Sequence, residues 1–361
     1  MSKRQTAKSI SNEILPIAAQ GCVHLPPLTN NMISAVIPTF NRPRDLEITL
    51  LSICSQSSPP MEVIVVDDST DSSTNDLVES MVDHFAKLSI RLVYIRNTGE
   101  RGLVSSRNAG VKASNGEIIL FLDDDVSLEG SYLETIMRAF ECLPDALGIQ
   151  GFWASGVRVS GRQELLNGLF AVFRLFHFTK TDCEVLPSFE PTYPLAPNEI
   201  MNCQWLSGCN QSYRKSVFAE VQFDENLRRY APGGEDIDFS YRVFKAHPRS
   251  LYIVREARLI HRGSPASRPP PKNLLFLRAV YKHYLFRKNI EQSLRNKIVY
   301  YWSVLGRILL LVSTRLVHFG RLDVGITMNI LAPILSEVFS LSHHEEITQG
   351  KLDFLGVYLD Y

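Results

Sequence analysis

Ile118-Ile-Leu-Phe-Leu-Asp-Asp-Asp-Val126 is a hydrophobic run that stops abruptly at three successive carboxylates, Asp123, Asp124 and Asp125. A buried strand ending in clustered like charges carries repulsion and desolvation that packing does not offset, so a cation is expected there. Carboxylate oxygens are the hard ligands that Mg²⁺ or Mn²⁺ prefer, and such ions commonly combine one or two carboxylates with phosphate oxygens of a substrate. The alternative for an isolated run of aspartates is a solvated turn. The surrounding sequence discriminates between the two.

Upstream, Ser34-Ala-Val-Ile-Pro-Thr-Phe40 reads as a short β-branched strand entering a proline-containing loop, followed by a helical pattern at Leu46, Thr49, Leu50 and Ile53. Glu62-Val-Ile-Val-Val-Asp-Asp68 repeats the theme of an apolar run capped by carboxylates, and a second helical pattern follows at Leu77, Val78, Met81, Val82 and Phe85. A third strand over 90–95 and a glycine-bearing loop and helix over 99–113 lead into the 118–122 strand. Strands alternating with helices predict an α/β fold with a mainly parallel sheet covered on both faces. Right-handed crossovers then bring the loops after Thr39, Val66, Ile95 and Leu122 to one sheet edge, where open α/β sheets bind ligands. The carboxylates at 67–68 and 123–125 are therefore expected to be neighbours. No GxGxxG follows the first strand and no GxxxxGK[ST] occurs, which argues against a dinucleotide oxidoreductase and a P-loop ATPase.

The 361 residues are 45% hydrophobic and 21% charged, enough for a full α/β core with an appendage. Lys plus Arg and Asp plus Glu both total 38, so overall charge offers no reason to expect a nucleic-acid partner. The six cysteines form no CxxC pair and no dense framework, which fits reduced thiols in the cytoplasm. Residues 1–30 hold no apolar core of signal-peptide length and read as a peripheral arm.

Five blocks, Ser34-Ala-Val-Ile-Pro-Thr-Phe-Asn-Arg42, Val65-Val-Asp-Asp-Ser69, Ser106-Arg-Asn-Ala-Gly110, Phe121-Leu-Asp-Asp-Asp125 and Gly234-Glu-Asp-Ile-Asp-Phe239, resemble in order and spacing the signature blocks of family 2 glycosyltransferases with the GT-A fold. The resemblance implies transfer of a sugar from a UDP-, GDP- or dTDP-linked donor, with inversion at the anomeric carbon. Beyond the 1–30 arm it implies a catalytic domain at 31–262, with a nucleotide-sugar half to about 126 and an acceptor half beyond it. A Pro-rich linker at 263–277 and a helical C-terminal region at 278–361 follow.

Carried onto these residues, the family pattern has Pro38, Thr39, Phe40 and Arg42 lining the nucleotide pocket and Asp68 accepting a hydrogen bond from the base. Arg107, with Asn108, either contacts the donor or orients the acidic cluster, while the helical position of Arg107 also suits a structural salt bridge. Asp123 contacts the ribose and Asp125 holds the Mn²⁺ or Mg²⁺ bound to the diphosphate, where charge grows as the glycosidic bond breaks. Asp124, between them, is expected to point elsewhere, because alternate residues of an extended segment face opposite ways. Glu235 and Asp236 form the acceptor-side acidic pair, with Asp236 as general base. The same two carboxylates are also suited to a helix N-terminus. His261, at the end of a strand-like run, completes the metal's ligands. Arg262 and Arg268 border a Pro-rich loop able to close over phosphates. Trp205 either stacks on an acceptor sugar or belongs to the core.

Between Arg278 and Arg321 nine Lys or Arg face one acidic residue, Glu291, interleaved with aromatic and apolar positions. Arg307 and Arg315 cut the apolar stretch well short of the ~20 residues that span a bilayer. Such a segment suits helices lying on the inner face of the cytoplasmic membrane, next to a glycan or lipid-linked acceptor, or helices packed on the catalytic domain. Two rival functions share the acidic cluster. A nucleotidyltransferase would carry a glycine-rich phosphate loop where Pro38-Thr-Phe-Asn-Arg-Pro stands, and a non-catalytic sugar-binding module would have little reason to keep Asp123, Asp125 and Asp236 together.

Overall fold

The structure is a computed structural model and describes residues 32–99, 101–153, 161–227, 233–266, 271–318, 324–352 and 354–355. The 1–30 arm lies outside the described residues. The first half alternates as read: β1 (Ile33–Thr39), α1 (Pro43–Cys54), β2 (Glu62–Asp67), α2 (Ser73–Lys87), β3 (Arg91–Arg96), α3 (Leu103–Ala113) and β4 (Ile118–Phe121). These strands pair in parallel in the order β3-β2-β1-β4. Thr39 stands beside Asp67 and Asp67 beside Arg96, so their C-terminal ends reach the same edge.

Beyond β4 the sheet becomes mixed. The chain runs through β5 (Val126–Leu128), α4 (Tyr132–Cys142), β6 (Gly148–Trp153), α5 (Gly161–Val172), β7 (His177–Thr179), β8 (Thr192–Pro194) and β9 (Ile200–Asn202). It returns as β10 (Gln211–Arg214), which enters antiparallel between β4 and β6. After α6 (Glu235–Ala246), β11 (Leu251–His261) lies parallel to β6 and antiparallel to β5 and β9. β7 and β8 form a separate two-stranded ribbon.

Alternate side chains of the central strands feed two cores. Ala35 and Ile37 of β1, with Ile118 and Leu120 of β4, join Leu46 and Leu50 of α1, Phe85 of α2 and Ile136 of α4. Val36, Ile119 and Phe121 join Val104 of α3 and Ile237, Phe239 and Val243 of α6 on the opposite face. Strands buried on both faces need apolar residues at every position, which explains the uninterrupted runs in the sequence. α3 approaches β1 through Gly110, where a Cβ would come within 2.2 Å of the Val36 side chain. Glu62, fully buried at the start of β2, is anchored by donors from Ser34 and Asn115 and by Arg91. Burial would raise its pKa, but those partners together hold it below the ordinary carboxylate range.

The C-terminal region is helical: α7 (Pro271–Asn289), α8 (Leu294–His318), α9 (Val324–Ser342) and the short α10 (His344–Thr348). Among the described residues no helix is long and apolar enough to cross a membrane. α7 packs on the sheet domain, burying Leu277, Val280, Tyr281 and Leu285 in the same core as α6. Polar ties reinforce it. Lys288 pairs with Asp224 and Asp238, Asn289 donates to Asp238, and Lys282 pairs with Glu190. Arg307 of α8 bridges Glu190 and Glu337 of α9. Cys54, Cys183, Cys203 and Cys209 are free thiols, whereas Cys142 is disulfide-bonded, so the expectation of reduced cysteines does not extend to it.

Candidate active site

β4 delivers Asp123 to the sheet edge, and its backbone N–H donates to the Cys209 carbonyl beyond the antiparallel neighbour β10. The chain then turns into β5, whose Val126 lies opposite His261 of β11. That register sets His261 Nε2 2.9 Å from Asp125 Oδ1 and 3.7 Å from Asp123 Oδ2. One ligand atom from each of Asp123, Asp125 and His261 lies within 4.8 Å of the others. Two carboxylate oxygens and an imidazole form a donor set suited to Mn²⁺ or Mg²⁺, with Mn²⁺ the better match to nitrogen.

The other Asp125 oxygen accepts from the Ser264 backbone N–H at 2.7 Å, and the Arg262 N–H donates to the Asp125 carbonyl. Burial would raise the Asp125 pKa, but His261, the Ser264 N–H and Arg42 hold it below the usual carboxylate range. Asp123 behaves oppositely. Its side chain is 30% exposed, the most open of the trio, yet withdrawal from bulk water raises its pKa; Arg107 and His261 counter this only in part, and the charges of Asp125 and Asp236 add to it. A carboxylate whose charge is incompletely neutralised is suited to a further cation.

Asp124 points away, as expected. Its Oδ2 accepts from Thr39 Oγ1 at 2.8 Å and its Oδ1 pairs with Arg42 at 3.1 Å. Burial raises its pKa to about 6 despite these partners. Thr39 and Arg42 thus brace the acidic loop, and Arg42 Nε also donates to the Ala266 carbonyl. Pro38 is buried in β1 beside Val66, and Phe40 is half-buried at the strand end. Asn41 takes φ +53 in the turn that follows, donating from its N–H to Ser69 and accepting from Thr70.

Asp68 is 7% exposed and already accepts three bonds, from Asn97 Nδ2, the Gly102 N–H and Ser106 Oγ. Most of its accepting capacity is directed into the loop before α3. Arg107, 1% exposed, faces inward: Nη1 pairs with Glu235 Oε1 at 2.9 Å, and Nη2 lies 3.1 Å from the Gly208 carbonyl and 3.7 Å from Asp123. Its guanidinium also rests on the Phe121 and Phe223 rings. Of the roles read for Arg107, the geometry matches the structural salt bridge, made to Glu235, together with orienting the acidic cluster through Asp123. Asn108 donates to the Phe223 carbonyl and Glu225.

Glu235 and Asp236 begin α6, after Gly233 and Gly234 at φ +97 and +112, values that side chains rarely adopt. Glu235 is buried, and burial together with the adjacent Asp236 charge raises its pKa against the pull of Arg107. Its Oε2 has no hydrogen-bond partner among the described residues. Asp236 is half-buried; Oδ1 accepts from the Ile237 N–H and Oδ2 from the Gly208 N–H at 2.8 Å. One residue therefore ties the centre together, the Gly208 N–H donating to Asp236 and the Gly208 carbonyl accepting from Arg107. A Cβ on Gly208 would meet Arg107 Nη2 at 2.7 Å and Asp236 Oδ2 at 3.2 Å, so only glycine fits without displacement.

Trp205 is placed in the core, 6% exposed beside Tyr193, with Nε1 donating to the Thr192 carbonyl. Trp153, for which sequence analysis gave no role, lies edge-on to His261 with ring centroids 6.1 Å apart. Gly208 and Ser264 were likewise without assigned roles. Arg262 donates to the Asp45 carbonyl, bracing the loop to α1, and Arg268 lies outside the described residues.

A sequence model described as Glycosyl transferase family 2 matches residues 34–221. The chain is 28% identical over 247 residues to a validoxylamine A glucosyltransferase from Streptomyces hygroscopicus subsp. limoneus, covering 63% of this chain and 50% of that protein. It is 35% identical over 107 residues to a GalNAc(5)-diNAcBac-PP-undecaprenol beta-1,3-glucosyltransferase from Campylobacter jejuni, covering 29% and 33% respectively. The chain thus spans about half or less of the length of these relatives. In structure it is similar to the mannosyltransferase PcManGT from Pyrobaculum calidifontis, solved with GDP-Man and Mn²⁺, at TM-score 0.50 and 14% identity over 94% of this chain and 89% of that one. Matched over more than half its length, with the strand order and acidic crevice described above, the chain belongs to glycosyl transferase family 2 and has the GT-A fold.

Proposed function

We propose that the chain is an inverting glycosyltransferase that moves a sugar from a nucleotide-linked donor to a hydroxyl of a glycan or lipid-linked acceptor. The observation that carries this reading is the convergence of Asp123, Asp125 and His261 on one point, with Asp236 joined to them through Arg107 and Gly208. Residues 31–262 hold this machinery, divided near 126 between a donor half and an acceptor half, and the helices α7 and α8 buttress it.

Asp125 and His261 would hold Mn²⁺ or Mg²⁺, with Asp123 turned to the donor ribose or joining them. The bound ion supplies charge neutralisation for the departing diphosphate. Thr39 and Arg42 fix the Asp124 turn that carries both neighbouring carboxylates, and Pro38 and Phe40 shape the nucleotide wall. Asp236 accepts the proton of the acceptor hydroxyl as that oxygen bonds to the anomeric carbon. The bond from that carbon to the diphosphate oxygen breaks, and its electron pair leaves with the nucleotide. Attack opposite the leaving group inverts the anomeric configuration.

The relatives support the two ends of this reaction: one neighbour is solved with GDP-Man and Mn²⁺, and one relative is named for an undecaprenol-linked acceptor. Thermal-shift measurements with UDP-, GDP- and dTDP-sugars, each with and without Mn²⁺, test it. The reading requires at least one donor whose stabilising effect depends on the ion; stabilisation by none of them would contradict it. Proton NMR of the product's anomeric centre then tests inversion.

A further inference from the structure

We propose that the outer faces of α5 and α8 together form a docking surface for an anionic phospholipid bilayer. This goes beyond the lipid-linked acceptor named above and rests on that reading only for its purpose, not for the binding itself.

The basic C-terminal segment divides into two unlike parts. α7 turns its apolar residues inward and ties its terminal Lys288 to Asp224 and Asp238, leaving little to offer a partner. α8 does the reverse on one side. Leu294, Ile298, Tyr301, Trp302, Leu305 and Leu309 are all more than 40% exposed. Their spacing of three and four places them on one helical stripe, while Tyr300, Ser303 and Val304 face the protein.

The stripe continues onto a second element. Trp302 Nε1 donates to the Val172 carbonyl at the end of α5, and its ring lies 5.2 Å from that of Phe173. Gly306 admits Phe173 to the helix surface, since a Cβ there would lie 2.4 Å from its side chain. From this junction α5 exposes Leu165, Leu169 and Val172 along its own outer side. Single exposed apolar residues are ordinary, but two joined helical stripes of them indicate an interaction surface.

Charge selects the partner. α8 contains no Asp or Glu, and Arg295 and Lys297 fall on opposite flanks of its stripe at 100° per residue. Neither pairs with a carboxylate among the described residues. An apolar strip with Tyr and Trp along it and cations on both sides is the pattern of a helix lying in the headgroup region of an anionic membrane. No helix among the described residues crosses a bilayer, so contact would be along the surface.

Flotation of the full chain with vesicles of phosphatidylcholine plus phosphatidylglycerol, and with phosphatidylcholine alone, tests the assignment. The chain is expected to float with the anionic vesicles, less so as salt is raised, with a blue shift of emission that Trp302→Phe removes. Ile298→Ser combined with Leu305→Ser should lower partitioning at least about ten-fold. Melting temperature and donor-induced thermal shift should stay unchanged in that variant, which separates loss of docking from loss of the catalytic site. Absence of flotation with anionic vesicles, or equal flotation of the double variant, would overturn the proposal. So would a wild-type dimer that Leu305→Ser converts to monomer, because the face would then belong to a second copy.

Discussion

Asp125 and His261, far apart in sequence, meet at 2.9 Å because β5 and β11 pair with Val126 opposite His261. The pairing places an imidazole beside an acidic turn, and the Ser264 N–H fixes the carboxylate from its other oxygen. Asp125→Asn should weaken Mn²⁺ binding by at least about 10-fold, since even partners behind a metal ligand typically matter on that scale. Titration of free Mn²⁺ by electron paramagnetic resonance measures this without any assay of turnover. Equal affinity in the variant would remove Asp125 from the ion site.

Gly208 offers a separate test. A Cβ there must push against Arg107 Nη2 or Asp236 Oδ2. Gly208→Ala is expected to lower kcat by roughly 10- to 100-fold, the scale of a small displacement of a reacting group, while donor affinity changes little. Steady-state kinetics read the split; a rise in KM with unchanged kcat would show that the position acts on binding instead.

Arg107 is the buried counter-charge for Glu235. Arg107→Met leaves Glu235 without its partner and should lower stability by about 3 kcal/mol, as removal of one member of a buried pair commonly does. Adding Glu235→Gln should recover part of that loss. Urea unfolding of the single and double variants measures both; additive losses would mean that the two residues are not coupled.

The legible part of the molecule was the part dictated by local pattern. The runs at 34–39, 62–67 and 118–121 needed apolar residues on both faces, and their alternation with helical periodicity sufficed to expect the parallel half and to bring Asp67, Asp68 and Asp123 to one edge. The mixed half was less legible because β9 and β10 are only three and four residues long, and their pairing with β11, β4 and β6 is set by non-local contacts that leave no period. Arg107 was read as reaching the donor, the acidic cluster or a structural salt bridge, and only the fold identifies Glu235 as its partner and encloses it between Phe121 and Phe223. The Gly208 backbone, which serves both Asp236 and Arg107, has no sequence signature beyond the glycine itself.

His283 of α7 is 1% exposed, with Tyr300 and His344 on its two ring nitrogens. Burial lowers its pKa from 6.5 to about 4, and the neighbouring His344 adds to the effect. The unfolded chain therefore takes up the proton first as pH falls. Stability is fully present above pH 6.5 and should decline between 6.5 and about 4, by up to about 3 kcal/mol from this group. Thermal melts across that range should show a shallower decline in His283→Phe; an identical slope would exclude His283 as its source.

Asp236 carries the central claim, because its half-buried carboxylate stands at the start of α6 while Gly208 holds one of its oxygens. The most direct measurement is turnover of Asp236→Asn with whichever nucleotide sugar stabilises the wild type, alongside the donor-induced thermal shift. The thermal shift should persist while turnover falls by about 100-fold or more, the scale associated with loss of a general base. Undiminished turnover in the asparagine variant would contradict the proposed chemistry.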